Sequence, residues 1–129
     1  MTRLTAACLL LSAALPTGAL ADPTMECPGS SQIEIGVCVS AALEAVDLAI
    51  ESALDFARAG AAELDVATGN NRAATALDAA QAAWSAYRDA QCEFIGAGFG
   101  GGSGTGIAIT ACRVTLGRAR VDELLDAVN

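Results

Sequence analysis

Residues 81–92 read Gln-Ala-Ala-Trp-Ser-Ala-Tyr-Arg-Asp-Ala-Gln-Cys and hold the most distinctive side chains of this 129-residue chain. The segment contains the only Trp and the only Tyr, Trp84 and Tyr87, with Arg88 and Cys92 close behind them. The surrounding sequence is rich in alanine and offers little chemistry. A helical period would place Trp84 and Arg88 on one stripe, with Tyr87 at its flank.

The pattern Gln-x-x-Trp-x-x-Tyr-Arg-x-x-x-Cys that begins at Gln81 resembles the LprI-type lysozyme-inhibitor-like family of small secreted bacterial proteins. That family typically continues through a Gly-Gly-Ser turn, a second Cys and a helix that carries Arg-x-x-x-Leu. Here residues 101–103, then Cys112, then Arg120 and Leu124 follow in the same order. The resemblance implies a small helical domain and inhibition of lysozyme, a basic enzyme.

Residues 1–21 have the three parts of a secretory signal peptide. Arg3 supplies a positive start, residues 4–15 form an apolar run, and residues 19–21, Ala-Leu-Ala, form a small-x-small cleavage site. The apolar run is too short to anchor the mature protein in a membrane. We therefore expect residues 22–129 to form one soluble domain, periplasmic or secreted, with no membrane insertion.

Four of the five cysteines remain after cleavage, because Cys8 leaves with the signal peptide. An even number in an exported chain favours two disulfide bonds, and four cysteines allow three pairings. The spacing favours Cys27–Cys38 and Cys92–Cys112, since each pair closes a local loop across a predicted helix end. A metal site is not expected, because the chain has no His and no Cys-x-x-Cys.

The apolar pattern predicts three helices and no strand, and therefore an all-α fold. The first helix spans about residues 32–66 and starts at a capping-box pattern, Ser31-x-x-Glu. The second spans about residues 72–95, and the third spans about residues 106–128 with Thr105 as a candidate cap. Such helices with short connections fit a small antiparallel three-helix bundle stapled by two disulfide bonds.

Apolar side chains recur at three- and four-residue steps along the first and third helices, which predicts the faces that they bury. On the third helix Leu124 lies beside the stripe. The predicted core positions are Val39, Leu43, Val46, Ile50, Leu54 and Ala57 on the first helix, and Ile107, Ala111, Val114, Val121, Leu125 and Val128 on the third.

The distinctive residues of the second helix have two interpretations. Trp84, Tyr87 and Arg88 could form an exposed recognition patch of aromatic and cationic groups. Alternatively, Trp84 packs between helices, Tyr87 is partly buried with its hydroxyl outward, and Arg88 pairs with an acid or a helix-end carbonyl. We favour the structural interpretation, and we expect Arg120 to anchor the third helix through a charge-assisted hydrogen bond.

Four carboxylates lie on one face of the first helix. They could dock a cationic partner, or they could form an ordinary solvated face, which is the more common use of such a row. The chain has 15 acidic residues against seven Lys and Arg, and its net charge of −8 becomes −9 when Arg3 is removed. Nucleic acid is a poor partner for this charge, whereas a basic protein such as lysozyme is a suitable one. The four residues are Glu44, Asp47, Glu51 and Asp55.

The glycine-rich segment 96–106 is the third candidate. It is not a phosphate loop, because no Gly-Lys-Ser/Thr follows, and no βαβ unit surrounds it, so no cofactor is expected. The loop could insert its single aromatic residue, Phe99, into a partner's cleft. Alternatively, it is a linker between the second and third helices, with Phe99 folded back onto the bundle.

Catalysis has little support in the sequence. His and Lys are both absent, so two common general bases are missing, and no serine has an evident activating partner. We therefore expect a binding protein rather than an enzyme, and the resemblance makes lysozyme its implied target. The rival interpretation is an accessory or structural interaction protein of the cell envelope that inhibits nothing.

Overall fold

A computed structural model describes residues 22–127, and the predicted signal peptide and Val128 lie outside these residues. Four helices follow one another: α1 (Pro23–Glu26), α2 (Gln32–Thr68), α3 (Ala73–Ala97) and α4 (Thr105–Asp126). No strand occurs among residues 22–127, so the predicted all-α fold is confirmed, and the three long helices lie within two residues of their predicted starts and ends.

The short helix α1 was not predicted. It forms because Asp22 accepts a hydrogen bond from the backbone of Thr24 and Pro23 occupies the first helical position, where a missing N–H costs nothing. The carboxylate of Glu26 then receives two hydrogen bonds of 2.7 Å from the guanidinium of Arg118, which fixes α1 against α4. This hydrogen-bonded pairing lowers the pKa of Glu26.

The capping box at the start of α2 is confirmed. Ser31 Oγ accepts a hydrogen bond from the backbone N–H of Glu34 at 3.2 Å, and the Glu34 carboxylate accepts from the N–H of Ser31 at 3.1 Å. The predicted cap of α4 is wrong, because Thr105 is the first residue of that helix and Gly104 precedes it without a side-chain cap. The Thr105 hydroxyl is buried and has no hydrogen-bond partner within residues 22–127.

The three long helices form a bundle in which each contacts the other two. Consecutive helices run antiparallel, so α2 and α4 run parallel to each other. The two helices pack tightly at Gly117 of α4, where an added Cβ would overlap Val46 Cγ1 of α2. A second close approach lies at Gly96 of α3, where a Cβ would overlap the side chain of Ile109. The absence of a side chain at these two glycines makes room for Val46 and Ile109 of the neighbouring helices.

The core lies between α2 and α4 and is made mostly of small and branched aliphatic side chains. The predicted stripe of α2 is confirmed at most of its positions. On α4 the structure reverses one prediction, because Leu124 is only 2% exposed whereas Leu125 is 39% exposed. The buried face of α4 includes Gly117. Glycine has no apolar side chain, so the apolar pattern of the sequence did not show that this position is buried. The buried apolar residues are Cys27, Val39, Val46, Ile50, Ala53, Leu54, Ala57, Cys92, Ala111, Val114 and Leu124.

Both predicted disulfide bonds are present, with Cα–Cα distances of 5.8 Å for Cys27–Cys38 and 5.5 Å for Cys92–Cys112. These distances lie in the usual range for a disulfide bond. The first bond ties the N-terminal segment to the second turn of α2. The second bond joins α3 to α4 across the glycine-rich loop, and Cys92 is fully buried there.

A buried carboxylate joins α2 to α3. Asp65, in the last turn of α2, accepts backbone hydrogen bonds from Arg72, Ala73 and Ala74 at 3.0, 2.8 and 3.1 Å. An acid near a helix C-terminus opposes the helix dipole, but here its charge faces the N-terminus of the next helix. The hydrogen bond from the N–H of Ala73 is the main cause that lowers the pKa of Asp65. Burial opposes this shift, but the N–H groups of Ala74 and Arg72 add to it, so the pKa lies below its ordinary value.

Acidification should therefore remove part of the stability through Asp65. Its folded-state pKa lies below the ordinary value of 3.8, so its contribution is present above that value and is lost as the pH falls through the folded pKa. Denaturant unfolding of the wild type and of Asp65→Asn should be compared between about pH 2.5 and 6. The variant should be less stable at pH 6 and should lose less stability on acidification. Glu63→Gln, which removes an exposed carboxylate, should keep the wild-type profile; the same profile in Asp65→Asn would contradict the assignment.

Candidate functional site

Trp84 lies at the junction of the three long helices. Two guanidinium groups lie over its indole ring, with the Cζ of Arg88 at 5.2 Å and that of Arg120 at 5.7 Å from the ring centroid. Both distances are within the range of cation–π attraction. The ring also packs against the core between α2 and α4. We call the assembly of Trp84, Arg88 and Arg120 the tryptophan cluster.

Each arginine of the tryptophan cluster is held by a partner on another helix. Arg88 Nη1 donates to Asp47 Oδ1 of α2 at 2.9 Å, and Arg120 Nε donates to Gln81 Oε1 of α3 at 3.0 Å. The two arginine side chains are only 14% and 12% exposed. The cluster therefore links α2, α3 and α4, and this geometry favours the structural interpretation of Gln81, Trp84, Arg88 and Arg120. Leu124, the last residue of the motif, is buried in the core and also fits a structural role.

Tyr87 stands apart from the other motif residues. Its side chain is 54% exposed, so it is less buried than the sequence pattern predicted. It borders a cleft of about 530 Å³ whose walls also include Gln91, Ile95, Phe99 and Ile107. The predicted loop residue Phe99 is 55% exposed, and its ring edge lies over Gly104 on the far side of the glycine-rich loop. Tyr87 and Phe99 are thus brought to one cleft, which we call the tyrosine cleft.

The four predicted carboxylates of α2 do not share one environment. Asp47 is taken up by Arg88, and Asp55 lies 3.7 Å from Arg58. Arg58 in turn donates to Asp78 of α3 at 2.9 Å. Glu44 and Glu51 are exposed and make no ion pair within residues 22–127. The sequence placed these carboxylates on one helix, but only the packing of α3 shows which of them are free of an ion pair and could contact a partner protein.

Glu44 borders an open groove between the N-terminal halves of α2 and α4, with a volume of about 730 Å³. Its α2 wall carries Ile33 and Val37, which are 80% and 68% exposed. We call this feature the Glu44 groove. The sequence analysis missed the apolar half of this surface, although Ile33, Val37 and Glu44 fall on one face at helical spacing and could have been found together.

Two other kinds of site find no support. Among residues 22–127, no group of three or more His, Cys, Asp or Glu side chains is arranged to hold a metal ion. Within the same residues, no helix is both long and apolar enough to cross a membrane.

The profile of a protein family described as "Lysozyme inhibitor LprI" matches residues 25–124. The chain belongs to the LprI family. The matched part of this LprI-family protein contains both disulfide bonds and the whole tryptophan cluster. It is therefore a member of an inhibitor family rather than of an enzyme family.

A relative of this LprI-family protein is an uncharacterised protein of Rhizobium meliloti (strain 1021). The two are 32% identical over 122 residues, which cover 90% of this chain and 87% of the relative. No solved structure gives a significant match to the chain.

Proposed function

We propose that this protein is a secreted or periplasmic inhibitor of lysozyme that acts by docking onto the enzyme. The match of residues 25–124 to the LprI family is the observation that carries the proposal. The charge supports it, because a net charge of −8, or −9 after removal of the predicted signal peptide, suits a basic enzyme as partner. Two disulfide bonds support an extracellular or periplasmic location, where such bonds persist.

The exposed carboxylates of α2 provide the docking chemistry of this proposal. Glu44 and Glu51 project from one face of a rigid helix and have no ion-pair partner within residues 22–127. A surface of one charge sign speeds encounter with a partner of the opposite sign, and added salt weakens the effect. Docking by a preformed helix face costs little ordering entropy, because the two disulfide bonds and the tryptophan cluster already fix the helices.

The direct test is inhibition of lysozymes of several types by the oxidised protein, residues 22–129. At about 20 mM salt and micromolar inhibitor, we expect loss of cell-wall hydrolysis by at least one basic lysozyme, and weaker inhibition at about 300 mM salt. Glu44→Lys combined with Glu51→Lys should mainly lower the association rate. Unchanged activity of every lysozyme at low salt would refute the proposal.

A second candidate function is an accessory role in an envelope assembly. Large apolar side chains lie exposed on several elements, among them Met25 at 82%, Phe56 at 66% and Val66 at 85%. An assembly would cover apolar side chains of this kind. A stable endogenous complex recovered from the periplasm, with no effect on lysozyme, would favour this second function.

A further inference from the structure

We infer that the Glu44 groove binds an arginine or lysine side chain presented by a basic protein partner. The cationic head of that side chain meets the Glu44 carboxylate, and its aliphatic stem lies on Ile33 and Val37. This inference rests on the proposed docking function and assigns it to one part of the surface.

The apolar wall of the groove suits a long aliphatic stem. Ile33 and Val37 follow each other by one helical turn on α2 and are 80% and 68% exposed. Ile107 of α4 lies opposite them and is half-buried. Arginine and lysine bury their methylene groups on apolar surface while they keep the charged head in water, which matches a groove that is apolar along its wall and open to solvent.

Charge determines which head group the groove accepts. Glu44 is the only ionisable residue among those that line the groove, and the others are aliphatic, hydroxyl, amide or glycine residues. It has no ion-pair partner within residues 22–127. An incoming cation would therefore meet an unshared carboxylate, and an anion would be repelled by it and by the overall charge of −8.

Two glycines in the groove have no role in packing the chain itself. An added Cβ at Gly106 would meet nothing within 4 Å, and at Gly36 it would make ordinary contact with Ile107 at 3.6 Å. Gly36 lies inside α2, where glycine is less favourable than alanine, and Gly106 is the second residue of α4. Gly96 and Gly117 differ, because a Cβ at either would overlap a neighbouring helix. An open groove floor accounts for Gly36 and Gly106, since it leaves room for a partner's main chain.

The groove has a volume of about 730 Å³ and is open to solvent, so it leaves room for a long side chain along its apolar wall.

The first experiment measures binding of a lysozyme that the wild-type protein inhibits, by calorimetry at two salt concentrations. Glu44→Gln and, separately, Gly106→Leu should each weaken binding by about tenfold, and Glu44→Gln should also reduce its salt dependence. Glu63→Gln is the control: it removes an exposed carboxylate of α2 that lies outside the groove and has no part in the proposed docking, and it should change affinity by less than about twofold. Circular dichroism confirms that each variant is folded.

Wild-type affinity in both Glu44→Gln and Gly106→Leu would overturn the groove assignment and leave the inhibitor proposal standing. An equal loss in Glu44→Gln and Glu63→Gln would also overturn it, because only the overall negative charge would then matter. If instead Gly106→Leu abolished a dimer of this protein, the groove would be a contact between copies and the inference would be wrong.

A second experiment keeps the inference testable if no lysozyme is inhibited. The peptide acetyl-Leu-Arg-Leu-amide is titrated into the ¹⁵N-labelled protein, with the neutral citrulline peptide as its control. We expect saturable shifts of the amide signals of Gly36, Glu44 and Gly106 with the arginine peptide alone. Shifts spread evenly over the acidic residues, or centred on the tyrosine cleft, would overturn the inference.

Discussion

Replacing Cys92 and Cys112 together with alanine should lower the free energy of unfolding by about 3 kcal/mol. The bond closes a loop with a sequence separation of 20 residues, and its loss gives the unfolded chain back the conformational freedom that the loop removed. Cys92 is fully buried, so alanine is the better replacement because it adds no polar atom to the core. Small domains have only about 5–15 kcal/mol of stability, which makes this loss a large fraction of the total.

Urea unfolding followed by circular dichroism measures this effect, and the other disulfide bond provides the control. Replacing Cys27 and Cys38 together with alanine should cost less, because α1 can then detach while α2, α3 and α4 stay packed. The Glu26–Arg118 hydrogen bonds would still hold α1 in part. A larger loss from Cys27 and Cys38 than from Cys92 and Cys112 would contradict this ranking.

Trp84→Ala should lower the free energy of unfolding by a similar amount, about 3 kcal/mol. The substitution removes the largest side chain that packs against the core from α3 and leaves a void beneath Arg88 and Arg120. Both guanidinium groups would lose the ring face, although their hydrogen bonds to Asp47 and Gln81 could persist. The expected decrease in stability therefore has three causes: less apolar surface is buried, a cavity forms, and two cation–π contacts disappear.

Trp84→Met separates these contributions, because methionine keeps much of the apolar volume and has no ring. We expect it to cost about 1–2 kcal/mol, between the wild type and Trp84→Ala. Thermal and urea unfolding by circular dichroism give both values. A cost below about 0.5 kcal/mol for Trp84→Ala would show that the indole is a surface group, and the structural interpretation of the motif would fail.

The helices and disulfide bonds followed from local patterns in the sequence. The period of Val39, Val46 and Ile50 depends only on the helix to which they belong, and each disulfide pair closes a short loop. The Asp65 cap could not be predicted in the same way, because its partners appear only after the turn at Gly69 reverses the chain. Gly69 adopts a left-handed conformation there, with φ of 68°.

The candidate site was only partly predictable for a similar reason. Helical spacing placed Glu44 and Asp47 on the same side of α2, but it could not show that Arg88 would reach from α3 to occupy Asp47. The same spacing placed Trp84 on the buried stripe and Tyr87 at its flank, but it could not show that Tyr87 would border a cleft with Phe99. Packing against the core of α2 and α4 partly buries Trp84, whereas Tyr87 stays exposed at the tyrosine cleft.

Within residues 22–127, no disulfide bond links the part of the chain before the turn at Gly69 to the part after it. One bond lies wholly before the turn at Gly69, and the other lies wholly after it. A single peptide-bond cut in that turn would yield two peptides joined by no covalent link and held by packing, the Asp47–Arg88 pair and the Asp65 cap. A cut in the glycine-rich loop would leave one covalent molecule. The turn at Gly69 is thus the natural point for making the protein as two separately produced pieces that recombine.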